Sequence, residues 1–136
     1  MLSEPGRTIG TLNFLIVEDN EFTAIVVKKT LESLGATRIA TARTGRQALE
    51  LIETAETPPD VLLIDLRMPE MGGVELIGRL GDRSYPGHVI VTSGVDAETL
   101  ATVEALARDS GVQVDGCLSK PLDAAALREL LDRIAQ

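Results

Sequence analysis

Phe14-Leu15-Ile16-Val17-Glu18-Asp19-Asn20 reads as a buried strand that ends in an acidic pair. Four apolar residues in an unbroken run suit a strand covered on both faces, the habit of parallel sheets. The run stops at Glu18-Asp19, and helical spacing follows: Phe22, Ile25 and Val26, then Val27, Leu31 and Leu34. Gly35 supplies the stop, because a helix C-cap in the left-handed region favours glycine. The stretch therefore predicts one strand–helix unit with two carboxylates at the carboxyl end of its strand.

The same unit recurs along the chain. Arg38–Ala42 reads as a strand, and 45–53 as a helix with Ala48, Leu49 and Ile52 inward. Thr57-Pro58-Pro59 breaks the chain before Val61–Ile64, a wholly apolar strand that stops at Asp65. Val74, Ile77 and Leu80 mark a third helix. A strand at 89–91 stops at Thr92-Ser93-Gly94, and Ala97–Ser110 is a helix with Leu100, Val103 and Leu106 inward. A strand near 114–118 stops at Ser119-Lys120-Pro121, and the last helix, 123–135, carries Leu127, Leu130, Leu131 and Ile134 at the spacing of a buried stripe. Alternation of this kind predicts an α/β fold with a parallel sheet and helices on both faces. Residues 1–12, with Pro5, Gly6 and Gly10, read as a flexible lead-in, and residues 13–136 as one domain.

Composition narrows the function. Thirteen basic against 21 acidic residues give a net charge of −8, which repels phosphate backbones and anionic lipid. Phe14, Phe22 and Tyr85 are the only aromatic residues, so a base-stacking platform is absent and no direct nucleic-acid partner is expected. The lone cysteine, Cys117, suits a reducing compartment. With no apolar run near the ~18 residues of a membrane span and no signal-peptide pattern in residues 1–12, a cytoplasmic location and no membrane partner are expected.

In open parallel sheets, ligands bind beyond the carboxyl ends of the strands. The residues there are Glu18 and Asp19, Asp65, Thr92 and Ser93, and Lys120. Three carboxylates on one edge repel one another and call for a cation. Oxygen ligands without His or Cys favour a hard ion such as Mg²⁺ or Ca²⁺. A lysine and a hydroxyl beside that ion can hold a phosphoryl oxygen, and an Asp carboxylate facing them is a candidate nucleophile. Alone, each of these residues reads as a helix cap, a turn residue or a solvated charge; their conjunction on successive strand ends carries the argument.

Ile16-Val17-Glu18-Asp19-Asn20, Asp65-Leu66-Arg67-Met68-Pro69, Gly73 and Ser119-Lys120-Pro121 together resemble the signature of the response regulator receiver domain of bacterial two-component systems, the CheY-like superfamily. The resemblance runs from about Asn13 to the C-terminus. It implies a flavodoxin-like (βα)5 doubly wound sheet with strand order 2-1-3-4-5. It implies a phosphorylation-dependent switch, without substrate turnover, in which Asp65 is the phosphoacceptor and Mg²⁺ the cofactor. The ion would take Asp19 directly, Glu18 through water, Asp65, and the backbone carbonyl of Arg67. Lys120 would contact the phosphoryl group, with a cis bond into Pro121. Ser93 is the expected switch hydroxyl, with Thr92 the alternative. The implied partners are a histidine kinase or histidine phosphotransfer protein and a downstream protein on the face of the fourth helix, fifth strand and fifth helix. A receiver-like interaction module and a receiver fragment of a larger regulator are the alternative readings.

Three departures from the family pattern stand out. The loop after Pro69 reads Glu70-Met71-Gly72-Gly73, where many relatives have Asp before the second glycine, a change that bears on loop flexibility alone. Arg67 is long and cationic beside the acceptor, and Cys117 stands where many relatives have Tyr or Phe. Arg67 also argues against a phosphatase of the haloacid-dehalogenase type, which wants a second Asp two residues after the nucleophile. A flavin carrier is disfavoured by the clustered acids, which repel a flavin phosphate, and by the shortage of aromatic residues.

Overall fold

In a computed structural model, which describes residues 8–68, 71–92 and 97–135, a 3-10 turn at Ile9–Thr11 leads into five alternations of strand and helix. They are β1 (Asn13–Val17), α1 (Glu21–Ser33), β2 (Arg38–Ala42), α2 (Gly45–Thr54), β3 (Val61–Ile64), α3 (Gly73–Asp82), β4 (His88–Val91), α4 (Ala97–Ser110), β5 (Gln113–Cys117) and α5 (Ala124–Ala135). All four strand pairs are parallel, and the order is β2-β1-β3-β4-β5. This is the flavodoxin-like order that the resemblance implied. The chain steps from β1 outward to β2, then back across β1 to β3. Crossovers of one hand therefore put α1 on one face and α2, α3 and α4 on the other.

Strand alternation divides the core accordingly. Phe14, Ile16, Leu63 and Ile90 pack with Val27 and Leu31 of α1 and Leu127 and Leu131 of α5. Leu15, Val17, Leu62 and Ile64 pack with Ala48, Leu76, Leu80 and Val103. The lead-in contributes at its end, since Ile9 and Leu12 are buried in the α1–α5 layer. Local signals set the helix ends. The Asn20 side chain caps α1 by accepting the Thr23 N–H, and Thr44 caps α2 by accepting the Gln47 N–H. Gly35 closes α1 with φ of 105°, as its position predicts. At Gly81, an added Cβ would lie 2.3 Å from the Cβ of Ser110, so α3 and α4 cross where only glycine fits.

Phe22, Ile25 and Val26 do not face the sheet; Ala24, Val27 and Leu31 do. Apolar residues occupy more than half of the circumference of α1, so two stripes compete for the inward side. The stripe of Ala24, Val27 and Leu31 seats the helix against the strands, and the other is left to solvent.

The amino end of the sheet is tied by main-chain and side-chain bonds. The Asp60 carboxylate accepts the Asn13 N–H at 2.7 Å, and the Asp60 carbonyl accepts the His88 N–H at 2.9 Å. Tyr85 is buried, and its hydroxyl donates to the Pro59 carbonyl at 2.6 Å. Burial, and secondarily the Asp60 charge, pushes the phenol well above its ordinary 10.0. Tyr85→Phe should cost about 1–2 kcal/mol, because the Pro59 carbonyl loses its donor; urea denaturation measures this. A raised folded-state pKa contributes stability that is present below the unfolded value and lost as the pH rises toward the folded one. Above pH 10.0 the unmodified protein should therefore lose stability more steeply than the Phe variant, which has nothing to ionise.

Candidate functional site

The hydrogen-bond ladder continues one residue beyond the strands. The Glu18 N–H donates to the Ala42 carbonyl at 3.0 Å, the Asp65 N–H to Val17 at 3.0 Å, the Thr92 N–H to Ile64 at 2.9 Å and the Leu118 N–H to Val91 at 2.7 Å. Main-chain bonds thus set Glu18, Asp65 and Thr92 side by side at the carboxyl edge. All three are buried, and Asp19 is half-buried beside them. One carboxylate oxygen from each of Glu18, Asp19 and Asp65 lies within 4.8 Å of the other two.

Each carboxylate is oriented. The Arg67 N–H donates to Asp65 Oδ1 at 2.9 Å, and the Asn20 N–H donates to Glu18 Oε2 at 3.1 Å. Lys120, after β5 and joined to Pro121 by a cis bond, reaches back across the sheet edge. Its ammonium is ion-paired with Glu18 Oε1, and with Asp65 Oδ2 at 3.2 Å. Burial raises the proton affinity of Glu18, and the Asp65 charge adds to this; the Lys120 and Asn20 hydrogen bonds offset only part of it. Burial acts to release the Lys120 proton, but the Glu18 hydrogen bond and the Asp65 and Glu18 charges together outweigh it, and the ammonium is held.

Gly73 explains its place in the sequence motif. A Cβ there would lie 2.6 Å from Leu66 Cδ2 and 3.0 Å from the Asp65 carbonyl, so glycine lets α3 begin directly beneath the Asp65 loop. The Arg67 side chain is exposed, and its main chain serves the site through the N–H to Asp65. Thr92 is buried at the end of β4, whereas Ser93, the preferred switch hydroxyl, lies outside the described residues. Cys117 is partly buried against the α2–α3–α4 layer, and burial, followed by the Glu104 charge, pushes its thiol up.

The sequence did not foretell the direct Glu18–Lys120 pair, which joins residues 102 positions apart; only the shared sheet edge brings them together. The donor set fits a hard divalent ion, being three carboxylates with no nitrogen or sulfur ligand and with Lys120 offsetting part of the charge. A groove of about 720 Å³ between α2 and α3 holds none of the strand-end residues, and its Arg79 and Arg83 are paired with Glu75 and Glu53. Among the described residues, no helix is long and apolar enough to cross a membrane.

Residues 14–132 match the family described as the response regulator receiver domain. A protein-glutamate methylesterase/protein-glutamine glutaminase of Natronomonas pharaonis is 34% identical over 92 residues, 68% of this chain and 25% of that protein. The aerobic respiration control sensor protein ArcB of Escherichia coli is 31% identical over 134 residues, 96% of this chain and 16% of that protein. The chain therefore spans a quarter or less of the length of these two relatives. A crystal structure of a response regulator from Colwellia psychrerythraea superposes with a TM-score of 0.74 at 27% identity, covering 91% of this chain and 97% of that one.

The role of Lys120 in holding the acids together is open to test. Lys120→Gln leaves Glu18 and Asp65 buried and short of a counter-charge. Because the lysine is partly exposed, the loss should be about 2 kcal/mol, below the range for a fully buried pair. Urea melts in chelator should show this loss, and millimolar Mg²⁺ should recover part of it.

Proposed function

The chain belongs to the response regulator receiver family of two-component signalling, and we propose that its working chemistry is transfer of a phosphoryl group to Asp65. The observation that carries this is the seat of Asp65 itself. It is a buried carboxylate with Oδ1 held by the Arg67 N–H and Oδ2 within 3.2 Å of the Lys120 ammonium, in the same cluster as Glu18 and Asp19. In the proposed reaction an Asp65 oxygen attacks phosphorus in line with the leaving group. The phosphorus–nitrogen bond of a phosphohistidine donor breaks, its electron pair stays on the imidazole, and an acyl phosphate forms on Asp65. Lys120 is placed to exchange part of its contact with the acids for a phosphoryl oxygen, a charge-assisted hydrogen bond.

Glu18, Asp19, Asp65 and the Arg67 carbonyl would hold Mg²⁺, which when bound supplies charge neutralisation for the phosphoryl oxygens. Ser93, or Thr92 in its place, would supply the switch hydroxyl. The donor would be a histidine kinase or histidine phosphotransfer protein, and the output a protein docked on α4, β5 and α5, in the cytoplasm. The domain would act as a switch and not as a turnover enzyme. As Cys117 is too small to fill the space that an aromatic would, the signal would leave through the start of α4.

Acetyl phosphate with Mg²⁺ should add one base-labile phosphoryl group, and Asp65→Asn should abolish it, as read by intact mass. Label retained on the variant would remove Asp65 from the role. Comparing Ser93→Ala with Thr92→Val separates the two hydroxyls: the true switch residue, once altered, should leave labelling intact but blunt the amide shifts along α4 when beryllofluoride is added.

A further inference from the structure

Strand β5 breaks the alternation that β1, β3 and β4 keep. Val114 and Cys117 both pack against the α2–α3–α4 layer, although residues three apart in a regular strand point to opposite faces. The pairing with β4 accounts for it. His88 lies opposite Gln113 and Val89 opposite Val114, but Ile90 lies opposite Gly116 and Val91 opposite Cys117. Asp115 is therefore the extra residue of a bulge, a feature rare in parallel pairs, and one that sheets use to re-aim a side chain beside a functional site. Gly116 shares the bulge and lies against α5, where an added Cβ would come within 2.9 Å of Leu130 Cδ1.

The Asp115 side chain is held on both oxygens. His88 Nδ1 donates to Oδ2 at 2.8 Å, and Gln113 Nε2 donates to Oδ1 at 3.1 Å. The His88 and Asp115 side chains are largely buried, at 20% and 16% exposure. The imidazole Nδ1 can carry the donated proton in the neutral ring as in the charged one. His88 opens β4, so the bond draws Asp115 back toward the amino end of the sheet and leaves the place opposite Ile90 to Gly116. A one-residue slip flips every side chain that follows. Without the bulge, Val91 would meet Gly116 and Cys117 would turn toward α5. Lys120 would then begin ~3.3 Å further along the strand direction, away from Glu18 and Asp65.

We propose that Asp115 is a positioning residue for Lys120: pinned by His88, it takes up one residue of β5 in a bulge and so sets the ammonium against Glu18 and Asp65. The seat of the ammonium follows from the sheet; its use on a phosphoryl oxygen rests on the phosphoryl-transfer reading above.

A thermodynamic cycle tests this. Asp115→Ala and His88→Ala each remove the bond, and amide spectra check that the fold is kept. In both variants the amide shifts should change at Cys117, Leu118 and Lys120, downstream of the bulge. Urea melts in chelator then compare the loss from Lys120→Gln in the unaltered chain with the loss in the Asp115→Ala chain. The second loss should be clearly smaller, whereas the effects of two sites that do not act on each other add. Labelling of Asp65 by acetyl phosphate with Mg²⁺ should slow several-fold in Asp115→Ala, and adding Asp115→Ala to Lys120→Gln should slow it no further. Asp115→Asn, which keeps an acceptor for the His88 Nδ1–H, should restore most of the labelling rate. Additive losses in the melts, or an Asn variant no better than the Ala one, would overturn the proposal. The cycle involves no phosphoryl group. A chain that shows the cycle but takes no label would therefore sink the phosphoryl-transfer reading and leave the seat of Lys120 supported.

Discussion

The Lys120 ammonium, shared between Glu18 and Asp65, is the contact on which the arrangement of this molecule turns. A parallel ladder brings the ends of β1 and β3 to one edge, and the sequence puts an acid at each. Without a cation the two buried carboxylates, with Asp19 beside them, would hold the edge apart. Lys120 comes from the far end of the chain, so the pairing closes the site only when β5 has taken its place next to β4. The site is therefore complete only in the finished sheet, and the cation that settles the acids is the one placed to meet an incoming anionic group.

That interaction also sets the balance of the resting site. Three acids and one base leave negative charge uncompensated, and burial makes that residue of charge felt. A divalent ion can relieve it, which is a reason for the edge to be under-neutralised by protein alone. The polar groups around it are otherwise spoken for. The Arg67 and Asn20 amides orient the carboxylates, and Gly73 lets α3 start close beneath Asp65. The hydroxyl and the Arg67 carbonyl complete the picture only as expectations from the family.

Much of this could be read from the chain. The apolar runs gave the three central strands, β1, β3 and β4, and the residues after them gave the acids and the hydroxyl of the site, because in a parallel sheet the end of a strand is also the edge of the sheet. The glycine at 35 gave the end of α1. What could not be read was a matter of direction and distance. Helix α1 has apolar residues on more than half of its circumference, so periodicity alone did not tell which stripe met the sheet. Ile9 and Leu12 looked like part of a loose leader because two residues carry no period. The Glu18–Lys120 contact joins opposite ends of the sequence, and spacing is blind to it.

Residues Glu18, Asp65 and Thr92 are held by amide-to-carbonyl bonds that any amino acid but proline could make. The placement of the site is thus a property of the main chain. The helices that surround the sheet need only keep their apolar stripes, and their outer faces are free to drift. A domain of this kind can share little more than a quarter of its residues with a relative and still superpose on it, as the Colwellia psychrerythraea structure does. Variation is then steered outward, to the solvent faces of the helices, where each descendant can acquire its own acquaintances while the inherited edge stays as it was.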